Sequence, residues 1–202
     1  MNKSRLVALC IVLLLLFGLA AYGLHIFSLR SEEDQKLPVS VSPMPEATEQ
    51  KTFGFNSKTV YGNSITSSVF MQNDLTLINI FATWCSPCVE EIPFLQEIDA
   101  ELDNVGVVGI VADTYDTQTG MLQQEAIETA KEIAEKTGAK YPFIIPDNAF
   151  MEDHFENAAV MFPISYIVNQ DGKVVLGPIG GAHTKDEWLD VIQQAMEALP
   201  ND

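Results

Sequence analysis

The sequence predicts an α/β sandwich built on a mixed sheet. Two continuous apolar runs, "LTLINIF" (75–81) and "VGVVGIVA" (105–112), suit strands buried on both faces. A helix-forming segment separates them, as parallel strands require. Near the end, "FPISYIV" (162–168), the turn "NQDG" and "KVVLG" (173–177) read as an antiparallel hairpin followed by a last helix.

The chain has 202 residues, one domain with additions. Residues 1–5 carry Lys3 and Arg5, and residues 6–29 then contain no acidic or basic side chain apart from His25. Such a run is long enough to cross a hydrocarbon core of about 30 Å as a helix. The basic flank keeps 1–5 in the cytoplasm and sends the remainder outward. A cleaved signal peptide is the alternative, since Gly18 and Ala20 form a small-x-small pair, but cleavage there would leave an exposed apolar tail. Cys10 reads as an ordinary residue of the span, because the bulky Leu9 stands where lipoprotein signals need a small one. Residues 30–51, rich in Pro, Ser and Glu, read as a flexible linker.

Residues 52–202 form the globular domain, with enough chain for one well-buried core. "KTFGF" and "KTVYG" suggest an N-terminal β-hairpin turning at Asn56-Ser57, with a second turn at Gly62-Asn63. The strand 75–81 leads to a helix over 85–102, then the strand 105–112. An amphipathic helix over 122–136 stops at Gly138, and "YPFII" (141–145) is a third strand. A short helix near 148–156 precedes the final hairpin. Thr184 and Glu187 form a capping box that opens a helix to Leu199.

All 28 acidic residues lie after Arg30, against eight lysines and no arginine. Such a surface repels phosphate backbones, so nucleic acid is not an expected partner. The segment "FATWCSPCVEEIP" (81–93) holds two of the three cysteines. A C-x-x-C at a strand-to-helix junction beside a βαβ pattern points to dithiol–disulfide exchange. Helical spacing puts Cys85 and Cys88 on one face, and the helix N-terminus favours a thiolate at Cys85. Cys85 is therefore the expected nucleophile and Cys88 the resolving thiol. Pro87 costs little in a first helical turn.

Other uses of the pair fit less well. A zinc site needs four ligands, and here there is no second pair, while His154 and His183 stand alone. Haem attachment needs His after the second cysteine, where this chain has Val89. A purely structural disulfide would close too short a loop to stabilise the chain much. No cofactor or metal is expected. Glu91 lies three residues after Cys88 on the same face, and Pro93 should kink the helix beyond it. Glu91 reads either as a surface carboxylate, as Glu90 does, or as a partly buried proton carrier. Pro163 either starts an edge strand or, in a cis bond after Phe162, turns a carbonyl toward a bound peptide.

"TLINIFATWCSPCVEEIPFLQEI" resembles the active-site segment of the thioredoxin superfamily, and specifically of TlpA/ResA-like membrane-tethered disulfide reductases. The likeness covers roughly 52–199, with W-C-x-P-C and E-x-P as its core. It implies a thioredoxin fold, a central mixed sheet flanked by helices, with a cis-proline loop at Phe162-Pro163 facing Cys85. It implies a catalytic set of Cys85, Cys88 and Glu91, with Trp84, Phe162 and Pro163 contacting substrate. General thioredoxins carry a buried Asp where this chain has Asn79; ResA-like proteins have Asn there and a Glu matching Glu91. Ile164 replaces the usual Thr after the cis-proline, and "TFGFNSKTVYGN" replaces the family's usual entry, which leaves substrate choice open.

The expected function is that of an extracytoplasmic reductant of protein disulfides. Electrons would arrive from a membrane thiol transporter and leave to a disulfide-containing protein. By analogy that protein is an apocytochrome c or a methionine sulfoxide reductase. The motif serves a disulfide-forming oxidase or isomerase almost as well, since direction depends on potential. A binding module without turnover is opposed by the intact cysteines and Glu91. A peroxidase is opposed by the close second cysteine and the lack of a Thr-x-x-Cys arrangement.

Overall fold

The computed structural model describes residues 52–116, 118–147, 150–151 and 161–199. The expected membrane span, the linker, Cys10 and His154 lie outside the described residues, as does most of the helix expected near 148–156.

Seven strands, β1 (Asn56–Thr59), β2 (Ser64–Thr66), β3 (Leu75–Phe81), β4 (Val105–Val111), β7 (Phe143–Ile145), β8 (Ile164–Asn169) and β9 (Val174–Gly180), form one mixed sheet in the order β2-β1-β7-β4-β3-β8-β9. Its centre is β3 (Leu75–Phe81), every residue of which is buried. It pairs in parallel with β4 (Val105–Val111) and antiparallel with β8 (Ile164–Asn169). Unbroken apolar sequence suits these positions because helices or loops cover both faces. Strand alternation divides the core: Ile78 and Ile80 join Phe53, Phe70 and Tyr166 on one side, while Leu77, Asn79 and Phe81 point to the other.

Helix α1 (Ser86–Glu101) follows β3 and packs against β4, burying Cys88, Glu91, Ile92, Leu95 and Ile98. Pro93 lies inside it, and the helix runs on past this residue to Glu101. Helix α2 (Gln124–Thr137) ends at Gly138, whose φ of 74° is the left-handed cap that glycine adopts without steric cost. Strand β7 (Phe143–Ile145) adds to β4, and Phe143 meets Phe81 edge-on with ring centroids 5.0 Å apart. Gly109 lies under these two rings; a Cβ there would stand 3.1 Å from each. Strand β9 (Val174–Gly180) completes the β8 hairpin. Helix α3 (Lys185–Glu197) starts with the expected capping box of Thr184 and Glu187 and packs against α1.

Two expectations need correction. The first hairpin is formed by β1 (Asn56–Thr59) and β2 (Ser64–Thr66), so Asn56 and Ser57 lie in a strand rather than a turn. The turn is the one at Gly62, and β1 is held by β7 on its other side. Residues 53–55 are no strand; Phe53 and Phe55 alternate like one because both side chains enter the core. Leu122, expected to open the second helix, instead pairs with Tyr115 in β6 (Met121–Leu122), which lies beside β5 (Tyr115–Asp116). Leu122 is exposed, so the pairing takes it out of the helix at no cost in burial.

Candidate functional site

Where β3 ends, Cys85 caps α1. Its φ of −87° and ψ of 99° are extended, as an N-cap requires, and its sulfur accepts the Cys88 backbone N–H at 3.3 Å. Pro87 occupies the first turn, as expected. The two cysteines are joined as a disulfide with Cα atoms 5.3 Å apart. Cys85 is 6% exposed and Cys88 is 0% exposed, so an incoming sulfur reaches Cys85 first. A sulfur held by N–H groups at the positive end of a helix is stabilised as a thiolate.

Beside Cys85, Trp84 is 71% exposed and meets Phe162 edge-on with ring centroids 5.9 Å apart. This contact brings the loop before β8 against the residue next to the nucleophile. The Phe162–Pro163 bond is cis, and the Pro163 carbonyl accepts the Gly181 N–H at 2.9 Å. An anchor not foreseen from the sequence holds the turn before Cys85. Asp113, just beyond β4, accepts the Thr83 backbone N–H at 3.1 Å through both carboxylate oxygens and the Thr83 hydroxyl at 2.5 Å.

Glu91 is 1% exposed, which separates it from the exposed Glu90. Its Oε1 accepts the His183 backbone N–H and the Trp188 indole N–H, each at 2.8 Å. Its Oε2 accepts from the Asn79 amide at 3.0 Å. Burial, which penalises the charged form, pushes the carboxyl up to about 7 against the pull of these three donors. Helical spacing sets it roughly 5–6 Å from Cys88 between Cβ atoms. A carboxyl that changes charge near neutrality, one turn from a thiol, is suited to proton transfer.

The remaining members of this group were not legible as site residues. Ser165, Trp188 and the His183 backbone come from β8, α3 and the loop before α3. His183 is not isolated in the fold: its ring packs edge-on against Trp188 with centroids 5.1 Å apart. The capping box was the one signal, since it places His183 immediately before the helix that delivers Trp188. Among the described residues no group of three or more His, Cys, Asp or Glu is placed to hold a metal.

Residues 40–190 match the Redoxin family. The chain belongs to the Redoxin family. This Redoxin chain is 24% identical over 198 residues to the thiol-disulfide oxidoreductase ResA of Bacillus thuringiensis subsp. konkukian, covering 96% of this chain and 98% of the relative. It is 28% identical over 130 residues to the thiol:disulfide interchange protein CycY of Rhizobium leguminosarum bv. viciae, 62% of each chain. A thioredoxin-family thiol:disulfide interchange protein of Chlorobium tepidum shares the fold, with a TM-score of 0.60 and 22% identity over 75% of this chain and 99% of that one. The protein is thus a ResA-like member of the thioredoxin superfamily, and its chemistry is thiol–disulfide exchange.

Proposed function

We propose that this domain reduces disulfides in partner proteins outside the cytoplasmic membrane. Residues 6–29 would anchor it and residues 30–51 would let it stand off the surface. The observation that carries the reading is the buried Glu91 carboxyl one helical turn behind the resolving cysteine.

In the reduced protein, the Cys85 thiolate attacks one sulfur of the substrate disulfide. A Cys85–substrate S–S bond forms, the substrate S–S bond breaks, and the departing thiolate takes up a proton. Cys88 then gives its proton to the Glu91 carboxylate and attacks the Cys85 sulfur. The mixed disulfide breaks and the second substrate sulfur leaves as a thiolate. Two electrons pass to the substrate, and the domain is left with the Cys85–Cys88 bond.

A membrane thiol transporter would return it to the dithiol form. Trp84 and Phe162 offer an apolar surface to the substrate chain beside its cysteine, with the cis-proline Pro163 buried next to Phe162 in the loop. The substrate is an oxidised apocytochrome c or methionine sulfoxide reductase type of protein, by likeness to the ResA-like group. A Cys88→Ser variant cannot complete the second step. It should hold the substrate on Cys85 as a stable mixed disulfide that can be isolated and identified. Failure of this variant to trap any protein, with no acceleration by the parent protein of insulin reduction over dithiothreitol alone, would overturn the reading. A parent protein that instead oxidises reduced substrates would assign it to disulfide formation.

A further inference from the structure

Asn79 has a hydrogen-bonding arrangement that a fixed amide does not explain. Its Nδ2 donates one hydrogen to Glu91 Oε2 and the other to Ser165 Oγ, both at 3.0 Å. Its Oδ1, in a residue that is 0% exposed, has no partner. Asn79 and Ser165 face each other directly across β3 and β8, so their separation is set by the sheet. Glu91 Oε1 already accepts two N–H groups and has no lone pair left for a proton. A proton taken up by Glu91 therefore goes to Oε2, the oxygen that faces Asn79.

We propose that Asn79 is a positioning residue whose side-chain amide turns over each time Glu91 gains or loses a proton, so that one residue supports both forms of the carboxyl group. The proposal rests on the acid–base role given to Glu91 above. With Glu91 ionised, both Asn79 N–H bonds are used, one on Oε2 and one on Ser165, whose hydroxyl acts as acceptor. With Glu91 protonated, an N–H would oppose the new O–H. Turning the amide by half a rotation presents Oδ1 instead, which accepts the Glu91 O–H and the Ser165 O–H together. It also moves the two N–H groups to the place where Oδ1 had no partner, a cost that the two new bonds must offset. Ser165 suits this role because a hydroxyl donates or accepts by rotating its hydrogen. Neither an aspartate nor an apolar residue at position 79 can do both. A buried carboxyl that lost its partner on one side of the cycle would be held in a single protonation state.

Other titratable groups approach Glu91. Cys85 and Cys88 lie on its own helix, and Tyr141 precedes β7. His183 and Glu187 lie at the start of α3, with His183 Nδ1 3.8 Å from a Glu187 carboxylate oxygen. Burial holds the Tyr141 hydroxyl well above its ordinary range, and the Glu91 charge adds to this, so Tyr141 stays protonated through the interval of interest. In the oxidised protein neither cysteine titrates. His183→Gln controls for the imidazole while keeping the backbone N–H that holds Glu91.

The test is nuclear magnetic resonance of the oxidised full-length chain, with 13C in Glu carboxyls and 15N in Asn amides, over roughly pH 5 to 9. Both Asn79 N–H signals should move together with the Glu91 carboxyl signal, and their contacts to Ser165 should be lost on the acid side. His183→Gln should leave this behaviour in place. Asn79→Leu should raise the Glu91 midpoint by about one pH unit, because the charged form loses more from a missing donor than the acid does. Ser165→Ala should raise it less, and this variant serves if Asn79→Leu does not fold. Asn79 signals that stay still while Glu91 titrates overturn this inference alone. A Glu91 signal that does not move in this range overturns the acid–base role and this inference with it.

Discussion

The indole N–H of Trp188 donates to Glu91 Oε1 at 2.8 Å, joining two residues 97 apart in sequence beneath the redox pair. The last helix thereby helps set the charge state of a carboxyl on the first.

Trp188→Phe should raise the Glu91 midpoint above about 7, because it removes a donor that favours the carboxylate. A hydrogen bond to a charged group contributes about 1.5–3 kcal/mol, so the shift should be about one to two pH units. The pH profile of Cys85 alkylation should move the same way. An unchanged profile in a folded variant would assign Trp188 to packing only.

Glu91 also makes stability depend on pH in a stated direction. Its folded value, about 7, is higher than its ordinary 4.5, so the native state holds the proton more tightly than the unfolded chain. The stabilisation is complete below about pH 4.5 and is lost as pH rises through about 7, amounting to roughly 3 kcal/mol. Glu91→Gln should therefore gain stability relative to the parent between pH 5 and 8, as measured by urea denaturation. Glu90→Gln, at an exposed position, should not slow exchange.

Cys85 should react with iodoacetamide in the reduced protein with an apparent pKa below about 8.5, the value for a free thiol. Cys88, with no exposed surface, should react much more slowly. Peptide mapping of the alkylated protein decides this, and a faster Cys88 would reverse the two roles.

Equilibration with glutathione or dithiothreitol should give a potential nearer the thioredoxin end, about −270 mV, than the DsbA end, about −120 mV. Ser86 and Pro87 add no basic charge, while Asp113 accepts hydrogen bonds from Thr83, two residues before Cys85. A thiolate in such surroundings is less stabilised, which makes the dithiol a better donor. A potential near the upper end would favour the disulfide-forming alternative.

Full-length protein should stay with membranes through high-salt and carbonate washes, given the uncharged run at 6–29 apart from His25. The domain should be open to protease added from outside. Release of a soluble species beginning near Ala21 would indicate a cleaved signal.

The β3–α1–β4 unit and the place of Cys85 at its helix cap were legible in the residues alone. Both rest on local chemistry: seven consecutive buried positions in each strand, a proline in the first helical turn, and a cysteine where free N–H groups converge. The capping box of α3 was legible for the same reason. Tertiary structure decided where the first hairpin lies, because the pairing of Lys58 with Ile145 selects one register among several short stretches of similar pattern. It also decided the state of Glu91. Spacing alone puts Glu91 on the thiol face, but its burial and its partners come from β3, α3 and the loop before α3. Desolvation is the sum of what distant segments place around a charge, so only the folded packing could turn an ordinary carboxylate into a group that titrates near neutrality.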